Sequence, residues 1–385
     1  MLTNADRRSA SESDLLSPPL QQEDRTYVRV GRKKLSYFGG CDYFRLASHP
    51  LILKALKEGL HNYGLNVAAS RLTTGNHELY QRLEERLAGF FGAEGAVLVG
   101  AGYLSNLAVA QALAGSFSHA LIDERAHPSL VDAAELLDCP TVRFKHRDAQ
   151  DVGKIVQRIG RAARPLLLTD GMFSHDGSTA PLRDYLRVLP SDGLLLVDDA
   201  HGAGVLGKTG QGTVEHLGLN RRQVVQTTAL SKAFGVYGGA ILCRERLRRA
   251  IQARSRIFQG STPFPLPLAG ALLKSCDLLS VKGLRTRLFA NIKRVKTALQ
   301  KMGYHGSNTP GPIVQLIPSA GEVTQCQRLV LANDIFPSFI KYPGGPTQGY
   351  FRFALSSEHS VAQVNSLIEV FWEMRASSKI TLSQS

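Results

Sequence analysis

The sequence predicts an α/β protein: a mostly parallel sheet in a three-layer large domain, followed by a smaller α+β C-terminal domain. Three observations carry that expectation. First, short continuous apolar runs end in polar or glycine-rich turns: AVLVGAG at 96–102, ALIDE at 120–124, PLLLTDG at 165–171, LLLVDDAHG at 194–202 and VVQTT at 224–228. Unbroken rather than alternating apolarity suits strands covered on both faces, as in a parallel sheet. Second, helical segments lie between the runs. ELYQRLEERLAGFFG at 78–92 places Leu79, Leu83, Leu87 and Phe90 on one face and offers Gly92 as a stop. Third, the pattern changes after about residue 255. A proline-rich connector, STPFPLPLAG at 261–270, leads into an amphipathic stretch from about 266 to 302. PIVQLIPSA and the alternating YFRFALS at 350–356 follow.

The order of segments gives a mobile polar tail over 1–25, an arm over 26–50, the large domain over 51–254 and the smaller one over 255–385. With 43% hydrophobic and 20% charged residues, the chain has the composition of a core-bearing protein. No apolar run approaches the length of a membrane span, and the N-terminus lacks the apolar stretch of a secretory signal. Cys41, Cys139, Cys243, Cys276 and Cys326 are scattered, odd in number and without CxxC spacing. This argues against a disulfide framework or a zinc site and for a reducing, cytoplasmic location. The net charge is +14, richest in RERLRRAIQARSR at 244–256. At helical spacing and without interleaved aromatics, that stretch reads as a solvated face rather than a nucleic-acid site. A positive field also suits an anionic small substrate.

Ligands of open α/β sheets bind beyond the carboxyl ends of the strands. His127, Ser174, Asp198, His201 and the glycine turn at 100–103 all follow such ends. Lys232, in TTALSKAFGVYGGAIL, lies just after a buried strand, where an unpartnered ammonium is expensive. It is a candidate to form a Schiff base, although a structural or phosphate-pairing lysine fits the composition equally well. Asp198 ends an apolar run and needs a cation partner, which a pyridinium nitrogen would supply; His201 lies within reach of a ring hydroxyl. Two rivals fail. Gly202 to Gly207 matches GxGxxG but lacks the acidic residue about twenty positions on, and nothing completes a metal site around Asp198, Asp199 and His201. Gly102 and Tyr103 open a helix after a strand, either an anion cradle or a plain turn.

These residues resemble the α-oxoamine synthases, a family of pyridoxal-5′-phosphate (PLP) enzymes. The resemblance runs from about Phe38 to His359, through CDYFRLASHP (41–50), SRLTTGNHEL (70–79), GYLSN (102–106), DERAHPSL (123–130), FSHDGSTAPL (173–182), DDAHGAGVLG (198–207), LSKAFG (230–235), STPFPLP (261–267) and YFRFALSSEH (350–359). It implies the PLP-dependent transferase fold type I and a homodimer with shared sites. The activity implied is a decarboxylative condensation of a small amino acid with an acyl-CoA thioester. It makes Lys232 the Schiff-base lysine and proton shuttle, with Asp198 at the pyridinium, His201 at the ring hydroxyl and His127 stacked on the ring. Gly102 and Tyr103 fall at the phosphate turn, Ser174 at the cofactor, and Thr262 reaches the partner subunit's phosphate. Arg352 grips the amino-acid carboxylate, and Arg71 lies near the substrate.

Three departures stand out. Ala229 takes the place of the family's phosphate-contacting Thr, so Thr228 is expected to substitute. Cys41 replaces an Asn near the substrate, and Asp199 a Glu. The reading favours alanine with a pimeloyl thioester, as in biotin synthesis, ahead of glycine acetyl transfer or a condensation in a specialised pathway. Aminotransfer or a PLP-binding regulator without turnover are the alternatives of another class.

Overall fold

The structure, a computed structural model, describes residues 19–377 apart from 161, 305–307, 320 and 342–345. It opens with a small antiparallel sheet of β1 (Gln21–Asp24), β2 (Tyr27–Val30) and β3 (Lys33–Ser36). The expected tail over 1–25 therefore includes a strand at its end, while residues 1–18 lie outside the described residues. All four β1 residues are exposed, so backbone pairing to β2 and not burial holds it. Composition carries no signal for such a strand.

Seven strands form the central sheet: β4 (Gly95–Val99), β5 (His119–Asp123), β6 (Thr141–Phe144), β7 (Pro165–Asp170), β8 (Leu194–Asp198), β9 (Val224–Ala229) and β10 (Gly239–Cys243). Their order is β4-β10-β9-β8-β7-β5-β6. The pairs β6-β5, β5-β7, β7-β8 and β8-β9 are parallel, and β10 runs antiparallel to both β4 and β9. All five apolar runs are strands. Every residue of β4, β7, β9 and β10 is buried, which explains why they read as unbroken apolar stretches. Their side chains alternate between two packed layers. Val97, Val99, Val225 and Ile241 face one, with the helices Gly102–Leu113 and Pro128–Glu135; Ala96, Leu98, Ala240 and Leu242 face the other. The helix Glu78–Phe91 ends at Gly92, whose φ of 62° is left-handed and open to glycine without strain.

The stretch from 266 to 302 is two helices, Leu266–Ser280 and Lys282–Lys301, broken at the exposed Val281. A third sheet contains β11 (Ile313–Leu316), β12 (Phe339–Ile340) and β13 (Tyr350–Ala354) in the order β11-β13-β12. One apolar core joins this layer to the large sheet, running from Phe38 and Leu83 to Val314, Phe353 and Phe371. Lys296 is buried on the helix Lys282–Lys301. Its amine donates to the Thr309 carbonyl, to Thr309 Oγ1 (2.7 Å) and to the Gly311 carbonyl (2.7 Å). Thr309 Oγ1 in turn donates to the Asp176 carbonyl at 3.1 Å. This pins the C-terminal layer to the turn after β7.

Candidate active site

Two hydrogen-bonded groups meet beyond the carboxyl ends of β7, β8 and β9. The first runs from Lys232 to Arg352. Lys232 Nζ lies 2.8 Å from His201 Nε2, and His201 Nδ1 lies 2.7 Å from the Tyr43 hydroxyl. Burial, then the charges of Lys232 and Arg352, push the His201 imidazole well below its ordinary pKa. A neutral ring between an amine and a phenol accepts at Nε2 and donates from Nδ1. The Tyr43 hydroxyl also hydrogen-bonds Cys41, and Cys41 Sγ accepts from Arg352 Nη2 at 3.5 Å. Arg352, on β13 and buried, has its Nε fixed by the Ser174 carbonyl at 2.6 Å. The turn pinned by Lys296 therefore aims the guanidinium.

The second group surrounds Asp198 at the end of β8. Its Oδ2 accepts from Asn106 Nδ2 (2.6 Å) and Ser129 Oγ (3.4 Å), and its Oδ1 from the Ala200 amide (3.1 Å). Thr227 Oγ1 donates to Asn106 Oδ1 at 2.6 Å, which turns the amide's NH2 toward the carboxylate. All three donors to Asp198 are neutral. Among the described residues no cationic side chain hydrogen-bonds this carboxylate, which leaves it open to a cation partner. Ser129 also meets His127 Nδ1 at 2.7 Å, and the His127 amide donates to Asp170 Oδ2 at 2.9 Å. Burial, then the repulsion of Asp198, pushes the Asp170 carboxyl well above the usual carboxylate range. Burial also lowers the His127 imidazole.

Close by, the twelve-residue helix Gly102–Leu113 begins without a side-chain cap. A Cβ on Gly102 would stand 2.5 Å from the Ala229 Cβ, so only glycine lets this helix start against β9. Tyr103 is 40% exposed, donates its hydroxyl to Asp132 and meets the His127 ring edge-on at 5.9 Å.

The aminotransferase class I and II family model matches residues 40–371. A curated 8-amino-7-oxononanoate synthase of Thioalkalivibrio sulfidiphilus is 35% identical over 344 residues, 88% of each chain. The chain belongs to the α-oxoamine synthase family. Solved structures share its fold. A serine palmitoyltransferase of S. paucimobilis, with PLP and myriocin bound, superposes with a TM-score of 0.86 at 24% identity, over 93% of this chain and 91% of that one. An 8-amino-7-oxononanoate synthase of Francisella tularensis gives 0.76 at 24%, over 89% and 98%. This α-oxoamine synthase is a PLP-dependent acyltransferase of fold type I.

The residues present fit that cofactor. An amine at Lys232, a buried carboxylate with neutral donors at Asp198 and an uncapped helix start at Gly102 answer an aldehyde, a pyridinium and a phosphate. Tyr43, Asn106, Ser129 and Asp170 complete the arrangement and escaped the residue-by-residue reading. Tyr43 and Asn106 stand inside the quoted segments CDYF and GYLSN, and the segment matches were the signal that held them.

Two expected residues, Arg71 and Thr228, lie elsewhere, and a third, Thr262, is the one expected at the partner subunit's phosphate. Arg71 is engaged on both arms by Glu84, at 2.5 and 3.0 Å, and lines a separate cavity of about 570 Å³ with Gln81, Glu245 and Phe258. Thr262 is exposed on the connector. Thr228 is the correction. Strand alternation puts Thr227 and Ala229 on the side of Asn106 and Gly102, whereas Thr228 pairs with Ala240 on the opposite face. Thr228 thus faces away from Ala229 and Gly102 and does not stand in the place of the family's Thr; among the described residues its buried hydroxyl has no hydrogen-bond partner. Replacing Thr228 with the isosteric valine is expected to leave PLP affinity unchanged. The same substitution should raise stability by up to about 1 kcal/mol by removing an unpaired polar group. Thermal melts with a PLP titration check both; a weakened PLP affinity would return Thr228 to the site.

Asp199 points away from the centre. It is held by the Thr213 amide and hydroxyl (2.7 and 2.6 Å) and by Gln226 (2.6 Å). Burial raises its carboxyl to about 7. A Cβ on Gly171, Gly202 or Gly212 would come within 2.5 Å of its oxygens. The shorter acid thus fits a tight socket behind the site.

Proposed function

We propose that this enzyme is an 8-amino-7-oxononanoate synthase, joining L-alanine to a pimeloyl thioester with release of CoA and carbon dioxide in biotin biosynthesis. The observation that carries this reading is the 35% identity, over most of both chains, with a relative of that name. The site supports it. Arg352 offers a guanidinium to the amino-acid carboxylate, and the Ser174 carbonyl keeps that guanidinium from turning. Lys232 Nζ is the amine for the cofactor's aldehyde and, when free, the base within reach of the α-proton. The His201–Tyr43 pair behind it accepts or returns a proton at Nζ without a change in net charge. When bound, the cofactor supplies the electron sink for the α-carbon, and Asp198 holds its ring nitrogen protonated. His127, capping its helix beside Asp198 through Ser129, offers a ring face to the cofactor.

The reading includes a homodimer in which exposed Thr262 reaches the neighbouring subunit's phosphate; an active monomer in sedimentation at assay concentration would end it. Five free cysteines support a cytoplasmic setting. No helix among the described residues is long and apolar enough to cross a membrane. The decisive assay follows CoA release and product mass with pimeloyl-CoA or acetyl-CoA and alanine, glycine or serine. Alanine with pimeloyl-CoA is expected to give the highest kcat/KM; turnover confined to glycine and acetyl-CoA would replace this assignment.

A further inference from the structure

We propose that Cys41 is the resident counter-ion of Arg352: the substrate's carboxylate displaces the thiolate from the guanidinium, and the thiol takes up one proton as the amino acid binds. This deepens the reading that Arg352 receives the amino-acid carboxylate, and rests on it.

The geometry sets the two anions in competition. One side of the Arg352 fork is occupied by the Ser174 carbonyl, and Nη2 turns to Cys41 Sγ. A carboxylate that pairs with Arg352 through Nη2 takes the contact that sulfur holds or lies beside it. A thiolate there would repel the incoming anion, so the sulfur has to become neutral. The groups facing Cys41 are Tyr37, Tyr43 and Arg45 from its own segment, Arg352 from β13, and Lys232 after β9. Burial alone would raise the thiol. Arg352 and Lys232, with hydrogen bonds from Arg352 and Tyr43, outweigh it and bring Cys41 below its ordinary pKa. Its other close neighbours do not offer a negative charge: burial raises both Tyr37 and Tyr43, keeping the phenols protonated. Arg352 is raised in turn, burial notwithstanding, by Cys41 and Tyr43. Binding an anion removes the charge that favours the thiolate. The proton enters from water, directly or along Lys232, His201 and Tyr43, which end at this sulfur. An amide in place of Cys41 would donate to the carboxylate and carry no proton through it.

Propanoate tests this in the holoenzyme, because it carries alanine's carboxylate and methyl without an amine that titrates. Its inhibition constant is measured from about pH 6 to about pH 9 in wild type, Cys41→Ser and Cys41→Asn. In wild type it is expected to weaken about tenfold per pH unit above the thiol's pKa, and in both variants to stay flat across that limb. Alkylation of Cys41 by iodoacetamide, in which an S–C bond forms and iodide leaves, is followed by peptide mass. Saturating propanoate is expected to slow it about tenfold, because the neutral thiol is a poor nucleophile. The same pH dependence in all three proteins, or alkylation indifferent to propanoate, overturns the proposal. Arg352→Met separates the two levels. If it weakens propanoate roughly a hundredfold while Cys41→Ser keeps the wild-type limb, only the exchange fails. If it leaves propanoate binding unchanged, the carboxylate reading itself falls.

Discussion

Lys232→Ala is expected to lower kcat by about 10⁴-fold, the upper range for losing a positioned proton-transfer group. On the proposed reading the side chain has two tasks, holding the cofactor and handling the α-proton, and both end at Nζ. Its neighbour His201 cannot inherit either. That ring is buried, driven neutral and already committed to Tyr43 on its far side. Adding an exogenous primary amine should restore part of the turnover, because a diffusible base can enter where the side chain was. Borohydride reduction followed by peptide mapping is the companion measurement. The wild type should carry the reduced cofactor on the peptide containing Lys232, and the variant should carry none. A reduced cofactor on another lysine would move the centre of the site.

Asp198→Asn should retain PLP and lose roughly 10³-fold in α-proton exchange. A carboxylate and a pyridinium in contact attract by about 4 kcal/mol at an effective dielectric near 20. Each 1.4 kcal/mol is tenfold in an equilibrium, so the amide forfeits about three powers of ten in the protonated ring. The surroundings cannot compensate, since Asn106, Ser129 and the Ala200 amide are neutral donors selected for an anion. In the variant, the amide has one oxygen for two sides, so its nitrogen meets either the Asn106 NH2 or the Ala200 amide, and Asn106 cannot simply turn over because Thr227 donates to its oxygen. Deuterium loss from α-deuterated alanine, followed without acyl donor, isolates this step from condensation. Exchange near the wild-type rate would remove Asp198 from the ring nitrogen.

What the sequence disclosed follows from how local each signal is. Strands covered on both sides announce themselves as apolar runs, and topology alone brings residues at their carboxyl ends together, as it does Lys232, Asp198 and His201. Strand β1 buries nothing and β6 has only its Phe144 buried, so neither has a periodic apolar signature. The face on which Thr228 lies is a matter of register. Moving one residue along a strand exchanges its faces, and spacing from Lys232 across a turn does not fix the parity. Arg71 is placed near the substrate by the family resemblance alone. Its actual partner, Glu84, sits thirteen positions later on a helix, and also accepts the Leu98 amide at 3.1 Å. Long-range pairing of that kind has no local trace.

The buried amine of Lys296 has a thermodynamic consequence beyond its hydrogen bonds. Burial, only partly offset by Asp176, pushes it down to about 7 from its ordinary 10.5. Between those values the folded protein has shed a proton that the unfolded chain still holds. This contribution to stability therefore grows as the solution becomes more alkaline through that window, and is least below it, where the folded state must bury the charge. Urea unfolding of wild type and Lys296→Met at pH 7 and pH 9 should show the wild type gaining on the variant at the higher pH. This pH dependence is carried by the residue that ties the C-terminal layer to the turn holding Arg352.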